Sequence, residues 1–297
     1  MSNTRAVAIN AFEKPWAYVV LTKPDVTFLV VITTVAGFYL GSIGPMDWAR
    51  LAHTLIGTLL VAGGTAALNQ YVERDMDAVM RRTAARPLPT GTLKPTEVLI
   101  FGAVTIVLGT AWLALAVNRL AAMVTLATCL SYLGLYTPLK TRTTLATAVG
   151  AIPGALPPLI GWAAARGSLS EGGWILFAIL FVWQFPHFMA IAWMYREDYA
   201  RAGIQMLPVV DPKGDATFRL IVSMSAVLVP VSLLPSVAGM VGIPYFFGAL
   251  VLGMSLLQVS LWANRSRTNV RAKWLMHATV IHIPLLLGWM IFDKFTR

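Results

Sequence analysis

A hydrophobic segment runs directly into a cluster of acids in Leu59-Leu-Val-Ala-Gly-Gly-Thr-Ala-Ala-Leu68-Asn69-Gln-Tyr-Val-Glu73-Arg-Asp75-Met-Asp77. With its upstream neighbours, the apolar part is long enough to cross a bilayer as a helix. On that helix Asn69, Glu73 and Asp77 lie four residues apart and project from one face. Carboxylates on one face repel each other and are costly near a membrane. The pattern therefore predicts a site for a divalent cation, or for a ligand that brings one.

The composition is typical of a membrane protein, with 57% hydrophobic and 12% charged residues. The formal net charge of +10 is best explained by cytoplasmic loops that face anionic lipid, so no nucleic-acid partner is expected. The single Cys129 excludes an internal disulfide and a multi-thiolate metal site. The N-terminal segment 1–15 is polar and lacks the apolar core of a signal peptide, which indicates a chain that begins near Met1.

Hydropathy predicts an all-α polytopic membrane protein with about nine spans, forming a single transmembrane domain over residues 1–297 with a cytoplasmic tail at 1–15. Asn118-Arg119 separates two of these spans so closely that a tight hairpin is expected. Pro153, Pro157 and Pro158 predict a kink or break inside another span. The predicted spans are 26–43, 51–70, 97–117, 119–136, 143–163, 173–195, 217–238, 243–263 and 273–292.

Charge predicts the orientation of these spans. A cytoplasmic N-terminus puts 18 of the 23 Lys and Arg residues on the cytoplasmic side and five outside, as the positive-inside rule requires. The rule does not explain why ten of the 13 acids lie on that same side. A polar site at the cytoplasmic face would explain why these acids lie there. The five external bases are Arg50, Arg119, Arg166, Lys294 and Arg297.

Two basic segments are expected beside the acids. The loop Met80-Arg-Arg-Thr-Ala-Ala-Arg-Pro-Leu-Pro-Thr-Gly91 brings Arg82 and Arg86 next to the carboxylates, and the run Tyr136-Thr-Pro-Leu-Lys140-Thr-Arg142 ends another span on the same side. Carboxylates that hold a cation, with guanidinium groups that take the remaining phosphate charge, are typical of a metal–diphosphate site. Taken alone, each segment would be an interface anchor.

The sixth span contains a third group of polar residues. On an ideal helix Gln184, His187, Tyr195 and Asp198 fall within an arc of about 80°, although Pro186 distorts it. An intramembrane His and Gln on the same side as a terminal Asp predict a polar wall that opens to the cytoplasm. The other three histidines have no partner at ligand spacing and are interpreted as structural; they are His53, His277 and His282.

These motifs together resemble one family. The pattern Asn69-x-x-x-Glu73-x-x-x-Asp77 is similar to the N-x-x-x-D-x-x-x-D motif of the UbiA-type intramembrane prenyltransferases. The longer run through Arg86-Pro-Leu-Pro89 resembles the protoheme IX farnesyltransferase (haem O synthase) branch, as do Gly154-Ala-Leu-Pro-Pro-Leu-Ile-Gly161 and Trp183-Gln-Phe-Pro-His187. Two positions depart from the superfamily pattern: Glu73 replaces an Asp, and Ala202 stands where a second acidic motif would continue from Asp198.

The resemblance implies a Mg²⁺-dependent transfer of farnesyl from farnesyl diphosphate to a vinyl group of haem b, which gives haem O for terminal oxidases. Haem is then a substrate and not a cofactor. The implied metal ligands are Asn69, Glu73, Asp77 and Asp198. His187 is implied to contact haem or to handle a proton, and Gln184 and Tyr195 to line the substrate pocket. Arg82, Arg86, Lys140 and Arg142 are implied to stabilise the leaving diphosphate or to bind haem propionates.

The same resemblance implies a location in the cell inner membrane, contact with membrane lipid, and haem A synthase or oxidase assembly factors as partners. Two other functions stay open. An aromatic acceptor such as a quinone precursor would suit the same fold. A cation-coupled transporter is a third reading, but it would place its acids near the bilayer midplane and not at one face. A purely structural subunit would not explain the stacked carboxylates.

Overall fold

The structure is a computed structural model that describes residues 13–295. Helices and their connecting turns account for the described chain, which contains no strand. One segment, Ser131–Tyr136, is a π-helix. The helices are α1 Glu13–Leu21, α2 Pro24–Gly41, α3 Trp48–Val79, α4 Pro95–Ala116, α5 Arg119–Leu130, α6 Thr137–Leu139, α7 Ala146–Ala155, α8 Pro157–Arg166, α9 Glu171–Met194, α10 Arg196–Arg201, α11 Leu207–Val210, α12 Asp215–Val237, α13 Ile243–Ser266 and α14 Asn269–Phe295.

Within residues 13–295, nine helical segments are long and apolar enough to cross a membrane. This confirms the predicted all-α polytopic fold and the number and order of its spans. The hairpin at Asn118 is also confirmed, because the Asn118 side chain caps α5 by accepting from Ala121 N at 2.8 Å. The proline-rich span breaks at Leu156, between α7 and α8. Most of the predicted tail at 1–15 lies outside the described residues.

The structure differs from the hydropathy pattern at the membrane surface. Helices α1, α10 and α11 were not predicted, because segments of nine residues or fewer are too short to be recognised in a hydropathy window the length of a membrane span. Helix α3 extends beyond its apolar part to Val79, so the acidic face is indeed helical. Helix α9 continues through Pro186, since a helix buried among neighbours tolerates one missing N–H.

Small residues let the helices around the site pack closely. A Cβ atom on Gly64 of α3 would lie 2.7 Å from the carbonyl oxygen of Gly102 on α4, and one on Gly37 of α2 would overlap Pro158 of α8. Helices in lipid gain stability from such close backbone contact, because no hydrophobic effect drives their association there. Helix α3 is thereby held against α4, with its acidic face directed to the other side.

Helices α2 and α14 are tied together at the end opposite the acids. Lys294 Nζ donates to the carbonyl oxygens of Tyr39 and Ser42 at 2.7 and 2.9 Å. Arg166 Nε donates to the carbonyl of Gly41 at 2.7 Å. These cations satisfy carbonyls at the C-terminus of α2, where the helix dipole also favours positive charge. The opposite end of α2 borders the site.

Candidate active site

A cavity of about 400 Å³ lies between α2, α3, α5, α7 and α8, a size common for small-molecule sites. Its inner part is mainly apolar, with walls that include Val30, Val61 and Ile160. Its other end carries charge at the level where α3 leaves its hydrophobic segment. The charged, amide and phenolic lining residues at this end are Lys23, Asn69, Glu73, Asp77, Arg82, Arg86, Tyr132, Tyr136, Lys140 and Tyr199.

The predicted face of α3 forms one wall of this polar end. Asn69, Glu73 and Asp77 are 0%, 6% and 1% exposed and all three line the cavity. Buried carboxylates need counterions, and each of these residues has a basic partner. Lys140 Nζ lies 2.6 Å from Glu73 Oε1, Arg86 Nη1 lies 2.7 Å from Asp77 Oδ2, and a lysine contacts Asn69.

Arg86 reaches Asp77 because the loop after α3 folds back on the helix end. Thr83 is buried, and its hydroxyl donates to the Asp77 carbonyl at 2.9 Å while its N–H donates to the Met80 carbonyl at 3.1 Å. These bonds close a turn directly after α3, so the chain returns toward the cavity. The basic loop is therefore part of the site, as its sequence position suggested.

Lys23 is the lysine that contacts Asn69; from the sequence it is only one of the 18 bases predicted to lie on the cytoplasmic side. Its Nζ donates to Asn69 Oδ1 at 2.7 Å. The turn that carries it is held by Gln70, whose Nε2 donates to the Leu21 carbonyl at 2.9 Å. Burial lowers the pKa of Lys23 to about 7, and the positive charge of Arg86 acts in the same direction. A bound anion would offset both effects and favour the charged ammonium.

Lys23 also has a backbone conformation that is uncommon for a side-chain-bearing residue, with φ at 48°. Such conformations cost free energy and persist where the surrounding structure requires them. The sequence feature that indicates a special position for Lys23 is the proline that follows it. Pro24 is the first residue of α2, and a proline there marks the start of a helix, so Lys23 lies in the turn before it.

The π-helical segment Ser131–Tyr136 supplies the opposite wall. Its wider turn presents Tyr132 and Tyr136 with ring centroids 5.2 Å apart, and Lys140 Nζ lies 4.4 Å from the Tyr136 centroid. Burial opposes the charge of Lys140, but the two phenols and the Glu73 carboxylate outweigh it and raise the pKa of Lys140 above its ordinary value. π-Helical turns occur frequently at functional sites. Hydropathy predicted a helix here but not its pitch.

Arg82 and Tyr199 close the mouth from the side of α10. The Arg82 guanidinium lies 5.3 Å from the Tyr195 ring centroid and 5.9 Å from that of Tyr199, in cation–π geometry. Burial raises the pKa of the Tyr199 phenol, which keeps it protonated and able to donate. Tyr199 lines the cavity, whereas Tyr195 supports Arg82 from outside the lining set.

Asp198 is not part of the lining set. Its carboxylate is paired with Arg201, one turn further along α10. Among residues 13–295, no three His, Cys, Asp or Glu side chains converge on one point. The structure therefore brings together Asn69, Glu73 and Asp77 from the predicted ligand set but does not bring Asp198 to them.

Three further predicted site residues lie apart from the cavity lining. Gln184 Nε2 donates to the Ala151 carbonyl at 2.8 Å and so joins α9 to α7. His187 contacts Thr279 of α14 through Nδ1 at 2.8 Å. Arg142 is exposed beyond Lys140. Helical spacing identified Gln184 and His187 as one face of α9, but it could not indicate which neighbouring helix that face meets.

The donor set at the polar end fits Mg²⁺. This ion prefers oxygen ligands and is usually held by one or two carboxylates, with substrate phosphates and water completing its octahedron. Glu73 and Asp77 supply the carboxylates, and the amide oxygen of Asn69 is a third donor on the same face. The four cations around them can bind an anionic headgroup, and the apolar interior can hold a hydrocarbon tail. The arrangement suits an amphiphilic diphosphate.

Known proteins of similar sequence and fold agree with this chemistry. A profile of the UbiA prenyltransferase family matches residues 30–288. The protoheme IX farnesyltransferase of Solibacter usitatus (strain Ellin6076) is 50% identical over 286 residues, which cover 93% of this chain and 98% of that protein. The protoheme IX farnesyltransferase of Koribacter versatilis (strain Ellin345) is 44% identical over 287 residues, with 93% of each chain covered.

Solved structures show the same architecture. A digeranylgeranylglyceryl phosphate synthase has a TM-score of 0.80 at 17% identity, covering 96% of this chain and all of that chain. A UbiA homologue from Archaeoglobus fulgidus bound to DMAPP and Mg²⁺ has a TM-score of 0.69 at 15% identity and covers 94% of this chain and 99% of its own. At these identities the likeness concerns the fold. From the family match and the close relatives together, the chain belongs to the UbiA prenyltransferase family and is a multi-pass membrane prenyltransferase.

Proposed function

We propose that this enzyme transfers a farnesyl group from farnesyl diphosphate to a vinyl group of protoheme IX (haem b), with Mg²⁺ as cofactor, and releases haem O. One observation carries the proposal: a buried cluster of carboxylates and cations and an apolar chamber lie at the two ends of the same cavity. Eight relatives, between 37% and 50% identical over most of their length, are protoheme IX farnesyltransferases, which supports the choice of both substrates.

Asn69, Glu73 and Asp77 hold Mg²⁺ in this proposal. When bound, the ion supplies charge that stabilises the diphosphate as the allylic carbon–oxygen bond breaks. Arg86, Lys140 and Lys23 exchange part of their contact with α3 for phosphate oxygens, and Arg82 and Tyr199 donate from the mouth. Asp198 is left out of this inner set because its carboxylate is bound by Arg201; from there it can hold Arg201 and α10 in place.

The chamber has the length that a farnesyl tail requires. Lining residues of α3 extend from Asn69 down to Thr58, a separation of eleven positions that corresponds to about 16 Å of helix. Three five-carbon units of about 5 Å each reach roughly the same length, from ordinary carbon–carbon bond lengths. Buried between the helices, the allylic carbon is shielded from water, which would otherwise compete with the acceptor.

The acceptor is assigned to the side of α9. A vinyl carbon of haem forms a bond to the allylic carbon as the bond to diphosphate breaks. Water then adds to the resulting carbocation next to the porphyrin ring and loses a proton to bulk solvent, which gives the hydroxyethylfarnesyl group. Phe188 and Ile191 line the cavity from α9, and His187 is adjacent to them. We assign His187, Gln184 and Tyr195 to the haem side and Arg142, at the exposed mouth, to a haem propionate. An aromatic acceptor such as a quinone precursor is the alternative to haem.

The proposed setting is the cell inner membrane, with residues 1–297 as one transmembrane domain. The N-terminus and the polar mouth face the cytoplasm, and the C-terminus is external, because this orientation places most bases inside. Membrane lipid surrounds the helices. Haem A synthase or oxidase assembly factors are proposed as recipients of the product, which is too apolar to diffuse through water.

The direct experiment uses purified, folded protein with haem b, farnesyl diphosphate and Mg²⁺, followed by mass spectrometry of the porphyrins. The expected product has the mass of haem O, and chelation of divalent ions abolishes it. Parallel reactions with a hydroxybenzoate acceptor test the alternative. Prenylated hydroxybenzoate without prenylated haem would assign the enzyme to the aromatic acceptor class.

Ala62→Phe is expected to shift the preferred donor from farnesyl to geranyl diphosphate. Ala62 lines the chamber about two helical turns below Asn69, so a phenyl ring there occupies the place of the third five-carbon unit. Overpacking costs about 1–3 kcal/mol, so we expect the ratio of kcat/KM for farnesyl over geranyl diphosphate to fall about tenfold or more.

The matched control is Ala52→Phe, which adds the same ring to an exposed position of α3. It should leave the donor ratio unchanged. A donor ratio that stays constant in Ala62→Phe while the protein remains folded would show that the tail does not occupy this chamber.

A further inference from the structure

We propose that His187 binds the iron of the porphyrin acceptor through Nε2, beside the part of the cavity that Phe188 lines. The inference rests on the proposed function, because it assigns the docking point of that same acceptor.

The hydrogen bonds of Thr279 determine which ring nitrogen of His187 carries the proton. Thr279 Oγ1 lies 2.6 Å from the Met276 carbonyl, to which it donates, and 2.8 Å from His187 Nδ1. A hydroxyl has one hydrogen, so toward His187 this oxygen acts as the acceptor. Nδ1 therefore bears the hydrogen of the neutral ring, and Nε2 is left with its lone pair, the form in which histidine binds metals.

The plane of the ring is also fixed. His187 stacks on Trp183, with centroids 4.7 Å apart and planes at 13°. The Trp183 indole N–H donates to the Thr279 carbonyl at 2.8 Å, so Trp183 and His187 are held by the same residue of α14. An imidazole whose Nδ1–H is fixed by an oxygen acceptor is the arrangement that orients metal-binding histidines.

Nε2 of His187 is available to a ligand. It makes no hydrogen bond within residues 13–295, and His187 is partly exposed. The other histidines differ. His53 Nδ1 and His282 Nε2 are enclosed without partners, so no ligand can reach those atoms. His277 is exposed, but its only ring contact is the edge of Trp274. His187 alone among the chain's four histidines combines a fixed tautomer with an accessible nitrogen.

The position of His187 suits an acceptor that enters from the membrane. The next residue, Phe188, lines the cavity, and so does Val26 of α2, which is 60% exposed. The first turn of α2 therefore borders the cavity and is also exposed on the surface of the protein. Lys294 joins α2 to α14 at the far end of these helices, so the ends near Val26 are not held by that contact. A flat apolar porphyrin can enter there from lipid, and an iron–nitrogen bond would set its depth and orientation.

The test compares iron protoporphyrin IX with metal-free protoporphyrin IX, titrated into the full chain in lipid nanodiscs. Wild-type protein is expected to give the absorption spectrum of a histidine-bound haem. His187→Ala should lose that spectrum and bind iron protoporphyrin about tenfold more weakly, while metal-free protoporphyrin binds as before. Added imidazole should restore the spectrum. Thr279→Val, which removes the acceptor from Nδ1, should weaken the iron form selectively, and His277→Ala should match wild type.

Each result decides the proposal. An unchanged haem spectrum in His187→Ala overturns it. An equal loss of affinity for both porphyrins also overturns it, because the histidine would then act through packing and not through iron. Formation of prenylated haem by the same wild-type preparation is measured in parallel. If that product forms while the spectra contradict ligation, only this inference fails; if no prenylated haem forms, the proposed function fails.

Discussion

Asp77→Asn is expected to lower the rate of prenyl transfer by at least about 100-fold, the size of effect seen when one preorganised contact to developing charge is removed. Asp77 is 1% exposed, lines the cavity beside Glu73, and holds Arg86 at 2.7 Å. Asparagine keeps the shape but removes the charge. The proposed metal site then has one carboxylate in place of two, and Arg86 loses its counterion. The measurement is kcat and KM for farnesyl diphosphate over a range of Mg²⁺ concentrations.

The matched control for Asp77→Asn is Asp75→Asn on the same helix. The Asp75 side chain is 90% exposed, and it does not line the cavity, so its removal should change the rate little. We expect Asp77→Asn to need a higher Mg²⁺ concentration than wild type for its half-maximal rate, and Asp75→Asn to need the same concentration as wild type. That result would support Asp77 as a ligand of the metal. Equal product from Asp77→Asn and wild type would remove Asp77 from the site, even if the enzyme proves to make haem O.

The contrast between these two acids shows what the sequence could predict. Spacing alone separated Asp75 from the Asn69–Asp77 face, because side-chain direction on a helix depends only on position along the chain. The nine spans could be predicted for a similar reason, since bilayer thickness sets the length of apolar segment required. The basic loop was associated with the site by its place directly after α3.

Features that depend on contacts between distant segments could not be predicted. Lys23 reaches Asn69 across 46 positions in the chain, and its role requires the turn that Gln70 holds. The pitch of Ser131–Tyr136, which brings two phenols to Lys140, leaves no hydropathy signal. His187 shows the same limit, because its partner Thr279 is 92 positions away.

Lys140→Met is expected to lower the free energy of unfolding by about 3–5 kcal/mol, the usual cost of leaving one partner of a buried ion pair alone. The Lys140 and Glu73 side chains are 12% and 8% exposed, so neither charge is well solvated. Glu73 would remain in a cavity wall without its counterion. A chemical or thermal unfolding curve in detergent, with intrinsic tryptophan fluorescence as the signal, measures the change.

The control is Lys14→Met. Lys14 and Glu97 form a pair with the same 2.6 Å separation, but these side chains are 46% and 29% exposed. Water replaces the lost partner there, so stability should hardly change. If both variants unfold alike, the distance between the charges and not their burial would set the effect, contrary to our expectation.

The double variant Lys140→Met/Glu73→Gln separates stability from catalysis. Without a lone buried charge, most of the lost stability should return, because removing both members of a buried pair is far less costly than removing one. Prenyl transfer should nevertheless stay as low as in Lys140→Met, since a metal ligand and a phosphate-binding cation are both gone. If activity returned together with stability, the pair would serve only to hold α3 against the π-helical segment. A stable but inactive double variant would instead mean that Lys140 and Glu73 serve to bind the metal and the diphosphate. Their burial as charges would then lower the stability of the folded protein.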